Sequence, residues 1–118
     1  MQIPKPTAAD IERFRAAVPD DPRVEVKPMF GNLGAFVNGN MFMGLFGSDI
    51  GLKLAPAEAE ALSAIEGAGP FGPAERPMGG YVTLPRALVG RPDGVGWVAA
   101  SLAHVVALPP KVPKPSKR

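Results

Sequence analysis

Residues 28–54 read PMFGNLGAFVNGNMFMGLFGSDIGLKL, three short apolar runs around two tight-turn signals. Asn38-Gly39 suits a two-residue type I′ hairpin, because both residues tolerate positive φ. Gly47-Ser48-Asp49 supplies a second turn, with glycine at the first loop position as a type II′ turn requires. The segment therefore predicts a three-stranded antiparallel meander. The first loop pairs Phe36 with Met41. The second pairs Leu45 with Ile50, Met43 with Leu52 and Met41 with Leu54. Cross-strand partners share a face. Phe36, Met41, Met43, Leu45, Ile50, Leu52 and Leu54 then form one apolar face, the expected core side. Ala35, Val37, Phe42, Gly44, Phe46, Gly51 and Lys53 fall on the other. A slip of one residue at either turn would exchange the two sets.

Outward from the meander, Thr7 is the expected N-cap of a first helix, with Asp10 at the positive end of its dipole. Ile11, Phe14 and Val18 form its apolar stripe, and Pro19-Asp20-Asp21 stops it. Residues 24–27 alternate as a short strand, with Pro28 as its end. Pro56 suits the first turn of a second helix, with Leu62 and Ile65 as buried positions and Gly67 as the stop. Residues 67–80 form an irregular loop carrying one aromatic, Phe71. Residues 81–84 are a strand closed by Pro85, and residues 86–89 make one turn. A third helix spans about 93–108. It carries one stripe of Val95, Val98, Leu102 and Val105 and another of Trp97, Ser101, His104 and Leu108. The element order α-β-β-β-β-α-β-α predicts an α+β fold, a mostly antiparallel sheet of about five strands with helices packed against it.

The 118 residues suit one domain, long enough to bury roughly 65% of the unfolded surface. Residues 1–110 are the expected folded unit and 111–118 a flexible basic Lys/Pro tail. The absence of cysteine removes disulfides, thiolate nucleophiles and cysteine-based zinc sites. It fits a cytoplasmic location, as does an N-terminus without an apolar signal-peptide core. The chain holds no uncharged apolar run long enough to span a membrane. The net charge of +2 hides an asymmetry. Lys111, Lys114, Lys117 and Arg118 lie in the last eight positions, leaving nine basic against 11 acidic residues in the body. A nucleic-acid contact would therefore use that tail rather than the folded surface.

Chemistry-bearing residues are sparse. His104 is the only histidine, so no metal set and no serine triad assembles around it. Gly47–Lys53 has the wrong spacing for a phosphate loop and no helix directly after its lysine, and Gly31-Asn-Leu-Gly34 carries no basic residue and leads into a strand where a nucleic-acid GxxG loop expects a helix, so both are expected as turn and bulge glycines. Arg76, Tyr81 and His104 are the candidate ligand contacts, provided that the fold brings them to one pocket. No cofactor is expected. The second sheet face is the sharper feature. Phe42 and Phe46 flank Gly44, which faces Gly51 across the strands. Two readings stand: an uncovered partner surface of Phe42, Phe46, Val37 and Lys53, or a second core under the third helix or the 67–80 loop.

The segments 28–54, PFGPAERPMGGYVTLP (70–85) and the helix containing Trp97 resemble the N-terminal domain of the TfoX/Sxy family of bacterial competence regulators. The resemblance spans most of residues 5–108. It implies an α+β domain with an antiparallel sheet, a cytoplasmic location and no established enzymatic activity. Longer members carry a helical C-terminal domain and promote transcription of DNA-uptake genes. Here a basic tail stands where that domain would begin. The resulting expectation is a stand-alone, non-catalytic regulatory or interaction module, pairing with a protein partner or a second copy. The alternatives are nucleic-acid binding through the tail, and a ligand or enzymatic site near Arg76, Tyr81 and His104.

Overall fold

The computed structural model describes residues 4–29, 31–73 and 75–110. The tail residues Lys111, Lys114, Lys117 and Arg118 lie outside the described residues.

Helix α1 (Ala8–Ala17) begins at Thr7, which forms a reciprocal capping box with Asp10. The Asp10 backbone N–H donates to Thr7 Oγ1 at 3.1 Å and the Thr7 N–H to Asp10 Oδ2 at 2.9 Å. Two of the first turn's otherwise unpaired donors are thereby satisfied. Strands β1 (Val24–Met29), β2 (Asn32–Val37), β3 (Asn40–Phe46) and β4 (Asp49–Lys53) follow as consecutive antiparallel neighbours. β1 continues through Pro28 instead of ending there. As the edge strand, it can hold a proline whose missing N–H faces away from β2. Helix α2 (Pro56–Ser63) has proline in its first turn. Leu62 is buried as expected, but Ile65 lies beyond the helix and is 36% exposed. A two-residue strand β5 (Gly69–Pro70) pairs with β6 (Tyr81–Thr83), so the sheet has six strands in the order β1-β2-β3-β4-β6-β5. A single 3-10 turn at Arg86–Leu88 precedes α3 (Pro92–Val106).

Both hairpin loops form as the sequence indicates. Asn38 and Gly39 take φ of 53° and 81°, and Gly47 takes 63°. Phe36 pairs with Met41, Leu45 with Ile50 and Met43 with Leu52. The expected Met41–Leu54 pair does not form, because the β3–β4 ladder stops at Met43–Leu52.

The face assignment needs a correction. Ala35 pairs with Met43 and Phe36 with Met41, so Phe42 is an extra residue on β3. One inserted residue reverses the alternation on its far side. Phe42, at 0% exposure, turns into the core, and Met41 turns away from it. β2 takes its phase from Met43 rather than Met41. Ala35 and Val37 (1% exposed) therefore join the core and Phe36 leaves it. β4 lies beyond the disturbance and matches expectation, with Ile50 and Leu52 inside and Gly51 and Lys53 outside.

The core cluster joins this inner face to Phe14 of α1, Leu62 of α2 and Val98 and Val105 of α3. α3 buries Gly94, Val98, Ser101 and Val105, a stripe that cuts across the two expected ones, and leaves Val95 60% exposed. Gly94 is required there, since a Cβ would strike the Leu88 carbonyl. Ser101 is fully buried. Its Oγ lies 2.7 Å from the Phe42 carbonyl and 2.8 Å from that of Lys53, so one hydroxyl proton serves two acceptors. Phe42 has no register partner on either neighbouring strand, and Ser101 supplies the acceptor's missing donor.

Candidate functional site

The sheet face away from the core cluster is built on three glycines. Gly34 pairs with Gly44, and Gly44 with Gly51, making a row without side chains across β2, β3 and β4. The bare backbone leaves a trough that other side chains enter. Phe71, from the 67–80 loop, lies flat over Gly51, where a Cβ would fall well inside contact distance of the ring. It is 2% exposed. Its ring meets Phe46 edge-on at a centroid distance of 6.2 Å and Tyr81 at 6.1 Å. The loop is fixed around it by Met78 N–H donating to the Phe71 carbonyl at 2.8 Å and Arg76 N–H to the Pro73 carbonyl at 3.0 Å. At the other end of the row, Met41 Sδ and the Phe36 ring sit over Gly34.

Between these covers remains a cavity of about 370 Å³. Gly44 lies at its floor, Met29, Met41, Phe46, Phe71, Pro73 and Met78 supply its apolar walls, and Arg76 and Asn32 are its polar members. The Asn32 amide is already committed. Its Nδ2 donates to the Pro4 carbonyl at 3.1 Å and its Oδ1 accepts from the Gly47 N–H at 2.8 Å. Arg76 is exposed and forms no ion pair among the described residues.

The expected site residues separate. Phe46 and Lys53 lie half-buried on this face, with Lys53 Nζ 5.6 Å from the Tyr81 ring centroid. Phe42 and Val37 do not: the bulge sends both to the core, so neither can meet a partner. The expected ligand trio also divides. Arg76 lines the cavity and Tyr81 packs beside Phe71 at its margin. His104 is on α3, which packs into the core cluster on the opposite layer. Tyr81 donates its hydroxyl to the Met41 carbonyl at 2.8 Å, and burial pushes its phenol up to about 12. A phenol so held positions the loop and is poorly disposed to exchange protons near neutral pH.

Sequence reasoning passed over Met29, Met41, Gly34 and Met78. The Gly44–Gly51 pairing was a usable signal. Extending it to Gly34 required the bulge, because the uninterrupted register places Gly34 on the wrong face. Among the described residues, no cluster of three His, Asp or Glu is placed to hold a metal ion, and no helix is long and apolar enough to cross a membrane.

No curated protein and no solved structure matches the chain at a significant level. The family model of the TfoX N-terminal domain matches residues 16–105, which include the meander, the 67–80 loop and nearly all of α3. A six-stranded antiparallel sheet with helices on one side, matched over most of its length by that model, places this chain in the TfoX N-terminal domain family.

Proposed function

We propose that the chain is a non-catalytic regulatory module of the cytoplasm that acts by contact with a protein, either a different partner or a second copy. The folded unit is 1–110 with 111–118 as an appended basic segment. The observation that carries this reading is the glycine-row face, where half-buried Phe36, Phe46, Lys53 and Tyr81 lie on the side the helices leave open. Exposed apolar surface rimmed by polar groups is a mark of interaction sites and ligand-binding grooves. The cavity's described lining holds no carboxylate, histidine or hydroxyl to act as acid, base or nucleophile.

Phe46→Asp is the informative change, since Phe42→Asp would place a charge in the core. Sedimentation velocity and co-purification from the source organism should show an assembly with the wild type that Phe46→Asp abolishes while its circular dichroism stays native. A wild-type chain that remains monomeric and recovers no protein lost by Phe46→Asp would end this reading.

A further inference from the structure

We infer that the cavity over Gly44 is a binding site for a small amphiphilic monoanion, an apolar body carrying a single carboxylate or equivalent acidic group. The inference goes beyond the contact function proposed above and does not depend on it.

Three observations fix the chemistry of the occupant. The first is size: about 370 Å³ lies within the range of small-molecule sites. The second is the lining. Thioethers from Met29, Met41 and Met78, the rings of Phe46 and Phe71 and Pro73 offer dispersion contacts and almost no hydrogen bonds. Methionine side chains also adapt to the shape of what they meet. The backbone groups beneath belong to interior strands and are engaged in ladder pairing. A peptide laid in this trough would bury its own N–H and C=O groups without partners, at considerable cost. A hydrocarbon or aromatic body has no such groups to satisfy. The third is charge. Among the described residues, Arg76 is the sole charged residue at the cavity and has no ion pair, and the only other polar side chain there, Asn32, has both ends occupied. A guanidinium at the mouth of an apolar hollow suits one carboxylate, which it can bind in a bidentate fork.

The test uses the full chain and three probes with one body: decanoate, decanol and decylamine. Titration calorimetry below the micellar range should show decanoate binding at one site, decanol more weakly and decylamine not at all. Arg76→Gln, a change at an exposed position, should weaken decanoate by about tenfold or more, the worth of one charge-assisted hydrogen bond, and leave decanol unchanged. Arg76→Lys should recover part of the loss. Methyl-labelled methionine spectra give the location. Resonances of Met29, Met41 and Met78 should shift on titration, while Met43, buried on the other side of the sheet, should not. Absence of decanoate binding would overturn the inference. So would equal affinity of wild type and Arg76→Gln, or shifts confined to Met43. Binding by protein partners alone would sustain the contact reading and reject this one.

Discussion

Gly51→Ala isolates the interaction on which the open face is built. Gly51 needs no positive φ, so its backbone accepts alanine without strain. The obstacle is Phe71, whose Cγ, Cδ1 and Cδ2 occupy the place of the new methyl group. These atoms are the near side of a ring held by Phe46, Tyr81 and the Met78–Phe71 hydrogen bond, so the whole ring must lift. Overpacking of this kind costs roughly 1–3 kcal/mol. Alanine in a strand returns ~0.5–1 kcal/mol relative to glycine, leaving a net loss of up to about 2.5 kcal/mol. In a Phe71→Ala background the obstacle is gone and only the gain remains, so Gly51→Ala should become neutral or stabilising. Phe71→Ala alone should cost ~3–5 kcal/mol. It should still leave a folded chain, because Phe71 lies outside the main core cluster. Urea unfolding of the four proteins, read by circular dichroism with a common m-value, gives the coupling free energy. The expected value is about 1–3 kcal/mol, with Gly51→Ala changing sign between backgrounds. An equal cost of Gly51→Ala with and without Phe71 would refute the account of the trough.

Tyr81 is the only tyrosine, so the pH-dependent change in absorbance near 295 nm reports it alone. Its folded-state value, pushed up to about 12, should leave little phenolate at pH 10, where the denatured chain is half ionised. Because the folded value is the higher one, its contribution to stability is complete below pH 10 and is lost as pH rises from there toward 12. Asp10 behaves in the opposite sense. The Thr7 N–H, and after it Arg13, hold its carboxyl below the ordinary 3.8. Its contribution is therefore present above that value and lost as pH falls through the lower folded one. Asp10→Asn should flatten the acid limb of the stability profile measured by urea midpoints. Thr7→Ala, which removes the other half of the capping box, should cost ~1 kcal/mol by the same measurement.

Turn chemistry carried most of the fold. Asn38-Gly39 and Gly47 announce their own φ, and each sets the pairing beside its loop that the structure reproduces. Such signals are local: they depend on which residues lack or tolerate a Cβ, not on anything distant in the chain. The side of the sheet on which a residue lies is a sum over every step from the turn, and one bulge reverses it. Nothing within Met41-Phe42-Met43 marks the middle residue as the extra one, because all three are apolar and any of them fits a core. The partner that accommodates the bulge, Ser101, stands 59 positions away on α3. In sequence it occupies a stripe with Trp97 and His104 and has no evident use. The same separation hid the candidate site. Phe71 was visible as a lone loop aromatic and Gly44–Gly51 as a bare patch, but their stacking depends on how the 67–80 loop returns across the sheet. Arg76 and Tyr81 reach the same region for that reason, while His104 follows α3 to the opposite layer.

The bulge also links the two faces, and this connection can be tested. Turning Phe42 into the core places Met41 over Gly34 as a wall of the cavity, so one local distortion completes the core and shapes the open face together. Ser101 holds it from the helix side through the Phe42 and Lys53 carbonyls, and Tyr81 holds it from the other side through the Met41 carbonyl. Ser101→Ala leaves the buried Phe42 carbonyl and the part-buried Lys53 carbonyl without that donor, which should cost about 1–3 kcal/mol in urea unfolding. A purely structural serine in a helix would do no more. If the bulge is the link, the loss should also appear across the sheet. The Met41 methyl resonance should shift or broaden as its strand segment loosens, while Met78, attached to the 67–80 loop, should stay in place. A Ser101→Ala protein of reduced stability with an unchanged Met41 signal would show that β3 holds its bulge without help from α3, and that the two faces are independent.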